Sequence, residues 1–485
     1  MMKNRHDTQY ITTTLPYVNS DPHVGFAMEL IRADVQARYF SLMGKKVFFN
    51  TGTDEHGIKI FQKANERGIP VQDYVNEYAA SFKGLIKLLN ISPDVNFVRT
   101  TDTHHTQAAI EFWKRCDQNG YIYKKNYQTK YCIGCEMEKT DSELVNGLCE
   151  IHPHTELEII DEENYFFKFS ACESFLLDLY NKNPQFVIPD FRFNEIKKFV
   201  EGGLQDFSIS RLKEKMPWGI SVPGDEQHVM YVWFDALVNY ISCLNWPDDT
   251  EKFEDFWVQG NPIQYAGKDN LRQQSAMWQA MLFAAGLPHS KQIVINGFIN
   301  SGGQKMSKSL GNVISPYDLV NEYGADALRY YLLRHVNSFE DSDMTLEKFK
   351  EAYNANLANG IGNLVQRVMK MITTYEVDIS HVNFNDHDPV MSYHQKHIES
   401  FDVNKVMDEQ WRLIGDLDTF IATEQPFKKI KENVEEAHRD LKYLAEELGR
   451  LSVSLYPMMP ETAARIQECL TEVKIPDTPL FIRKD

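Results

Sequence analysis

Apolar and polar positions divide this chain into stretches of different texture. A β-rich run, TQYITTTL over 8–15, breaks at Pro16 and predicts a short buried strand. Asp21-Pro22 follows and predicts a helix start, with Asp as N-cap and Pro in the first helical position. An amphipathic run then continues to about Leu42 and stops before Gly44. KVFFNTGT predicts a second strand, and helical stretches return around 57–68 and 70–90. Such strand–helix alternation predicts a parallel α/β sheet. From about 120 to 220 the texture changes to a cysteine cluster, a turn containing Gly, His and Pro, and two polar amphipathic stretches, which together read as an insertion. HVMYVWF, PIQYAG and KQIVING are strand-like again and predict that the sheet resumes. After about Asp343 helical periodicity dominates, over 346–374 and 403–469, with many Lys/Glu pairs. An all-helical C-terminal domain is the expectation. The boundaries follow as 1–119, 120–222, 223–342 and 343–485, with no internal repeat.

Composition bounds what this pattern can serve. At 485 residues the chain is too long for one ordinary core. Hydrophobic residues make up 43% and charged residues 25%, the balance of a soluble globular protein. No apolar run approaches the roughly 18–20 residues that span a bilayer. The start, MMKNRHDTQYITTT, has neither an apolar signal core nor the character of a transit peptide, so a cytoplasmic protein is expected. The net charge of −18 opposes general nucleic-acid binding, so any RNA contact must rest on local basic patches.

The seven cysteines are an odd number and unevenly spaced. Cys116, Cys172, Cys243 and Cys469 are isolated and read as small core residues. Cys132-x2-Cys135, thirteen residues, then Cys149-x2-His152 supplies four ligands for one tetrahedral zinc. His154 is an alternative to His152. A closed site of this kind is structural and takes no part in the chemistry.

Two further segments carry chemistry. In LPYVNSDPHVGF a helix start follows a strand and offers free N–H groups to a phosphate. His23 can donate to a phosphate oxygen, and Gly25 lets a nucleotide lie close to the backbone. Standing alone, this is better read as a capped helix with an incidental histidine. In SGGQKMSKSLGN, 301–312, glycines on both sides of Lys305 and Lys308 predict a mobile loop whose cations clamp one polyphosphate.

HxGx near the start, with KMSKS some 280 residues later, resembles the paired motif of class I aminoacyl-tRNA synthetases. LPYVNSDPHVG, FNTGTDEHG, YVWFDALVNY, GKDNLR and KMSKSLGN occur in the order seen in methionyl-tRNA synthetases, and the similarity covers about residues 8–440. The resemblance implies a Rossmann-like catalytic domain split by a zinc-knuckle insertion and followed by a helical anticodon-binding domain. The activity implied is a ligase's: ATP, with Mg²⁺, activates methionine to methionyl-adenylate, and the methionyl group passes to tRNA(Met). His23, Lys305 and Lys308 would be catalytic. Gly25, Lys268 and Asp269 would join them around ATP. Leu15, Tyr17, Trp233, Ala236 and Tyr240 would line the methionine pocket, with Asp54 on the amino group and Gln274 near the thioether. Asn363 and Arg367 would read the anticodon, and Phe427, in TEQPFKKIK, would stack on a base beside Lys428, Lys429 and Lys431.

This sequence departs from the family pattern at several positions. Gln274 and Asn296 stand where His is common, Phe26 replaces the second His of HxGH, Asn270 replaces an apolar residue, Met277 an aromatic and Leu237 a Pro. The leucine, isoleucine and valine synthetases carry a large editing domain that the 120–222 segment is too short to hold. A non-catalytic tRNA-binding paralogue would have no need of KMSKS or Asp54, and a purely structural zinc protein would explain only the knuckle. The chain stops soon after the helical domain, so a monomer is expected.

Overall fold

The computed structural model describes residues 8–134, 137–139, 144–153, 155–306, 311–380, 382 and 395–485. They fall into two compact units: Met1–Asp21, Asn50–Lys83 and Asn96–Ile295 form one, and Pro22–Phe49, Gly84–Val95 and Asn296–Asp485 the other.

The first unit is built on a six-stranded sheet. Its strands run in the order Asn96–Arg99, Lys46–Thr53, Thr8–Thr12, Asn261–Gly267, Gln292–Asn296, Val187–Ile188. Thr8–Thr12 pairs parallel with Asn261–Gly267, Lys46–Thr53 with Asn96–Arg99, and Gln292–Asn296 with Val187–Ile188. Successive residues of the central strands are buried, as a parallel sheet covered on both faces requires. The expected parallel α/β sheet is therefore present. HVMYVWF is not part of it. Its strand stops at Met230 and pairs antiparallel in a separate three-stranded sheet with Ser210–Leu212 and Ser221–Val222. Phe234 N–H then turns back onto Tyr231 O at 2.9 Å and opens the helix Val232–Leu237. A buried apolar run suits either element, and the closing turn decides it. A long antiparallel pair, Ile122–Cys132 with Glu158–Phe167, carries the cysteine cluster at its end.

In the second unit the helix Val24–Leu42 ends where expected but starts later. His23 caps it, accepting from Gly25 N–H at 3.1 Å, so neither Asp21 nor Pro22 holds the expected place. Nor is this helix amphipathic. Glu29, Arg32, Asp34, Gln36 and Arg38 are buried along with its apolar residues. Such charges are tolerated only when paired. Arg329 Nη2 lies 2.8 Å from Asp34 Oδ2 with both side chains fully buried, and Arg38 Nε donates to the same carboxylate at 2.8 Å. Beyond Ser342–Asp343 the elements among the described residues are helices, among them Leu346–Ala352, Asn363–Thr374, Val403–Glu424, Val434–Leu455 and Pro460–Glu472. No helix among the described residues is long and apolar enough to cross a membrane.

Asp326 opens the helix Ala325–Arg334 and accepts from Thr462 N–H at 2.6 Å, in the first turn of Pro460–Glu472. Burial pushes its carboxyl up from 3.8 to about 6. A carboxyl pKa raised by folding makes the fold bind more protons than the unfolded chain, so stability is lost as pH rises through this window. The cost of the buried carboxylate above about pH 6 is about 3 kcal/mol. Asp326→Asn is expected to match the parent near pH 4 and to be more stable at pH 7.5, as read by urea unfolding at both pH values. Equal differences at the two pH values would refute this assignment.

Candidate active site

In the first unit Tyr17 and Asp54, two of the residues expected around methionine, meet at the loop that ends the strand Lys46–Thr53. Asp54 N–H donates to Pro16 O at 2.9 Å, and Val18 N–H donates to Asp54 O at 3.2 Å. Tyr17 and Asp54 thereby form a parallel bridge, which holds the loop from Leu15 to Tyr17 beside a buried carboxylate. Trp233 and Ala236, half-buried, lie on the helix Val232–Leu237, and buried Tyr240 on Asn239–Ser242. Tyr10 Oη donates to Tyr240 O at 2.9 Å and fixes that turn. Gln274 is buried in a wide π-type turn, Gln273–Met277, a geometry that recurs at functional sites. Leu237 is buried as well, Met277 is half-buried, and Asn270 donates to Asp269 Oδ1 at 3.2 Å. Lys268 and Asp269 form the turn directly after Asn261–Gly267, at the carboxyl end of a parallel strand, where α/β sheets bind ligands.

Sequence reasoning missed what holds this loop. Glu55, fully buried, accepts from Arg99 Nε at 2.7 Å and Nη2 at 2.8 Å, and also from Thr53 Oγ1 at 2.6 Å. His56 Nδ1 lies 3.2 Å from Asp235 Oδ2, both buried, and burial pushes the Asp235 carboxyl up. Trp218 Nε1 donates to Glu55 O at 2.6 Å, while Gly57 N–H donates to Trp218 O at 3.1 Å. The two side chains that follow Asp54 are thus tied into the fold, on partners as far away as Asp235. The only sequence signal was the crowding of Asp54, Glu55 and His56 in one string.

The metal-ligand set is partly visible. Cys132 and Cys149 are buried, and their sulfurs lie 3.7 and 4.0 Å from His152 Nδ1. All three ligand atoms fall within 4.8 Å of one another. Tetrahedral zinc, with bonds of about 2.3 Å to sulfur and 2.0 Å to nitrogen, sets such atoms about 3.6 Å apart. Soft thiolates beside an imidazole therefore fit a metal of that kind. A Cβ at Gly134 would stand 2.4 Å from His152 Cγ, so the ring occupies space that only glycine leaves. Cys135 and His154 lie outside the described residues. Of the isolated cysteines, Cys116, Cys172 and Cys469 are buried and Cys243 is half-buried.

The phosphate-binding candidates belong to the second unit. His23 is exposed at the start of Val24–Leu42. Its Nδ1 accepts the capping bond, which puts the proton on Nε2 and makes that nitrogen a donor. A Cβ at Gly25 would stand 2.9 Å from the His23 ring, so the glycine is needed for the imidazole to fold over the helix start. Val24 N–H donates to Ile314 O at 3.2 Å, which ties this helix start to the segment returning from the lysine loop. Gly302 and Gly303 are the two positive-φ residues of a tight hairpin between Ile299–Ser301 and Gln304–Lys305. The glycines expected to loosen the loop on that side thus make its turn, and Gly303 N–H is held by Asp343 Oδ1 at 2.7 Å. The Lys305 backbone closes the hairpin opposite Asn300, and Lys308 lies outside the described residues. Phe26 is half-buried. Asn296 is buried and accepts from Arg32 Nη1 at 3.0 Å.

The RNA-binding candidates share this unit. Asn363 and Phe427 are exposed. Arg367 Nη1 lies 2.9 Å from Asp418 Oδ1, a bond it must exchange to reach a base. The basic patch is smaller than expected. Lys429 sits among Glu424, Glu436 and Asp440 at 2.8, 3.1 and 2.7 Å, and only Lys428 and Lys431 stay exposed. Three carboxylates cancel the charge that the sequence offered at that position.

A family model for class I tRNA synthetases (M) matches residues 9–156 and 134–369. The methionine–tRNA ligase of Thermotoga maritima is 38% identical over 472 residues, which are 94% of this chain and 74% of that one. The methionine–tRNA ligase of Brucella suis is 38% identical over 476 residues, 95% of this chain and 91% of its own. Among solved structures, Mycobacterium tuberculosis methionyl-tRNA synthetase in complex with methionyl-adenylate matches with a TM-score of 0.88 at 33% identity, covering 98% of this chain and 97% of that one. With both the family model and full-length relatives in agreement, the chain belongs to the methionyl-tRNA synthetase family of class I tRNA synthetases.

Proposed function

We propose that this chain activates methionine with ATP to methionyl-adenylate and transfers the methionyl group to tRNA(Met), acting as a cytoplasmic monomer. The observation that carries the reading is the helix start at His23. Its capping bond leaves Nε2 as the donor, and its Val24 N–H holds the segment that follows the lysine loop. A phosphate chain lying there meets an imidazole donor and the positive end of the helix dipole, and the proposal brings the cations Lys305 and Lys308 to it. The proposed division of the chain is catalytic over 1–119 and 223–342, connective over 120–222 and anticodon-binding over 343–485.

Leu15, Tyr17, Trp233, Ala236 and Tyr240 enclose the methionine side chain, and Asp54 takes its ammonium group. Gln274 faces the thioether. The methionine carboxylate attacks the α-phosphorus of ATP, a new O–P bond forms and pyrophosphate leaves. His23 Nε2, Lys305 and Lys308 stabilise the charge that gathers on the phosphoryl oxygens, while Gly25, Lys268 and Asp269 position the nucleotide. A terminal ribose hydroxyl of tRNA then attacks the adenylate carbonyl and displaces AMP. Mg²⁺ bound with ATP supplies further charge neutralisation. Zinc held by Cys132, Cys135, Cys149 and His152 supplies local structure in the connective segment. Asn363, Arg367 and Phe427 read the anticodon, with hydrogen bonds and one stacked ring.

The test is amino-acid-dependent pyrophosphate–ATP exchange with methionine, leucine and cysteine. Exchange with methionine alone is expected. No exchange, together with tight tRNA binding, would overturn the enzymatic reading in favour of a tRNA-binding paralogue.

A further inference from the structure

Four buried polar side chains in the first unit form a chain whose direction is fixed from one end. It starts at the Ser290 backbone N–H, which can only donate and reaches Gln279 Oε1 at 3.0 Å. The opposite end of the Gln279 carboxamide must then be its amino group. That group donates to Gln274 O at 2.8 Å and to Ser290 Oγ at 3.1 Å. Because Ser290 Oγ accepts there, its own proton goes elsewhere, and Gln264 Oε1 is its acceptor. The amino group of Gln264 in turn donates to Gln274 Oε1 at 3.2 Å. Every link is out of water: Gln264, Gln279 and Ser290 are 0% exposed and Gln274 is 3% exposed.

We infer that Ser290, Gln264 and Gln279 are positioning residues for Gln274 that lock its amide so that the amino group, never the carbonyl, is turned toward the amino-acid pocket. The inference rests on the proposed placement of Gln274 beside the methionine thioether. A thioether sulfur is a weak acceptor with no proton to give. A donor facing it gains a bond, whereas a carbonyl would set lone pair against lone pair. Turning one carboxamide over inside this chain would make like face like at the next link, with no water to relieve it. The lock thus makes a side chain of two-faced chemistry behave as a donor only. It favours methionine over norleucine, which has the same shape with a methylene in place of sulfur. A histidine at this position would need no such lock on a carboxamide. Gln274 needs one, and Ser290, sixteen residues further along the chain, starts it.

The experiment compares pyrophosphate–ATP exchange supported by methionine and by norleucine in the intact protein. In Ser290→Ala, which removes the hydroxyl link, the KM for methionine is expected to rise about 3- to 10-fold, the worth of one hydrogen bond, with kcat nearly unchanged. The KM for norleucine should stay put. Ser290→Thr keeps the hydroxyl and should restore the parental ratio. Gln264→Met, which removes the donor to Gln274, should repeat the selective loss. A parallel loss for both amino acids would mean general damage to the pocket and would overturn the inference, as would an unchanged methionine-to-norleucine ratio. Absence of methionine-dependent exchange in the parent protein would instead overturn the reading of the pocket, and the lock with it.

Discussion

Replacing Lys305 and Lys308 together by alanine should lower methionine-dependent pyrophosphate–ATP exchange by about ten-thousand-fold, with methionine binding alone left intact. Removing one preorganised donor from an anionic transition state costs about 10²–10³-fold, and a well-placed cation on a transferring phosphoryl group is worth about 10³–10⁵-fold. Two lysines acting on one pentacovalent phosphorus share that stabilisation, so their losses should not simply multiply. The charge they face is greatest in the transition state. The expected signature is therefore a large fall in kcat with a smaller rise in KM for ATP. His23→Ala should behave in the same direction and more mildly, because it removes one neutral donor. Methionine binding without ATP, followed by tryptophan fluorescence, separates this from unfolding, since Asp54 and Gln274, proposed for the methionine pocket, are untouched. Exchange within tenfold of the parent would remove the lysines from the chemistry.

How much of this was legible in the sequence depended on how local each signal is. The strands Lys46–Thr53 and Gln292–Asn296 and the helices beyond residue 343 were readable because their apolar periodicity belongs to the segment itself. The strand Val187–Ile188 was not, because two residues carry no period. The helix Val24–Leu42 was misread as amphipathic because its polar residues are buried on partners far along the chain, Asp34 on Arg329 among them. Its cap was misplaced because Asp21-Pro22 fits a general rule, whereas His23 wins through a ring packed over Gly25. The site shows the same division. His23, Asp54 and the KMSKS lysines stand in compact strings. The His56–Asp235 pair and the Gln264–Gln274–Ser290 chain exist only once distant segments meet. Lys429 shows the opposite error, a charge that is present in sequence and neutralised in space by Glu424, Glu436 and Asp440.

The metal cluster gives the second large expectation. Purified protein should carry about one zinc per chain, and Cys132→Ser or Cys149→Ser should release it. Structural zinc contributes about 10–16 kcal/mol to the folding of isolated knuckles, far more than two short strand pairs supply in water. Its loss should therefore unfold the end of the Ile122–Cys132 and Glu158–Phe167 pair, opening protease cleavage between about residues 130 and 155, while the six-stranded sheet persists. The fourth ligand is decided the same way, by zinc content in Cys135→Ser and in His154→Ala. Only the first should lose metal. The effect should also reach the pocket by a definite path. Lys59 Nζ donates to Gly134 O at 2.7 Å, in the turn between Cys132 and Cys135, and lies 5.9 Å from the centre of the Tyr17 ring. A turn released from its metal frees Lys59, and Tyr17 then loses one of the groups packed against it. The KM for methionine should rise more than the KM for ATP, since Lys59 packs on Tyr17, which is proposed for the methionine pocket. Zinc content that stays near one in both cysteine variants would mean that the metal is held elsewhere or not at all, and the path through Lys59 would then have nothing to transmit.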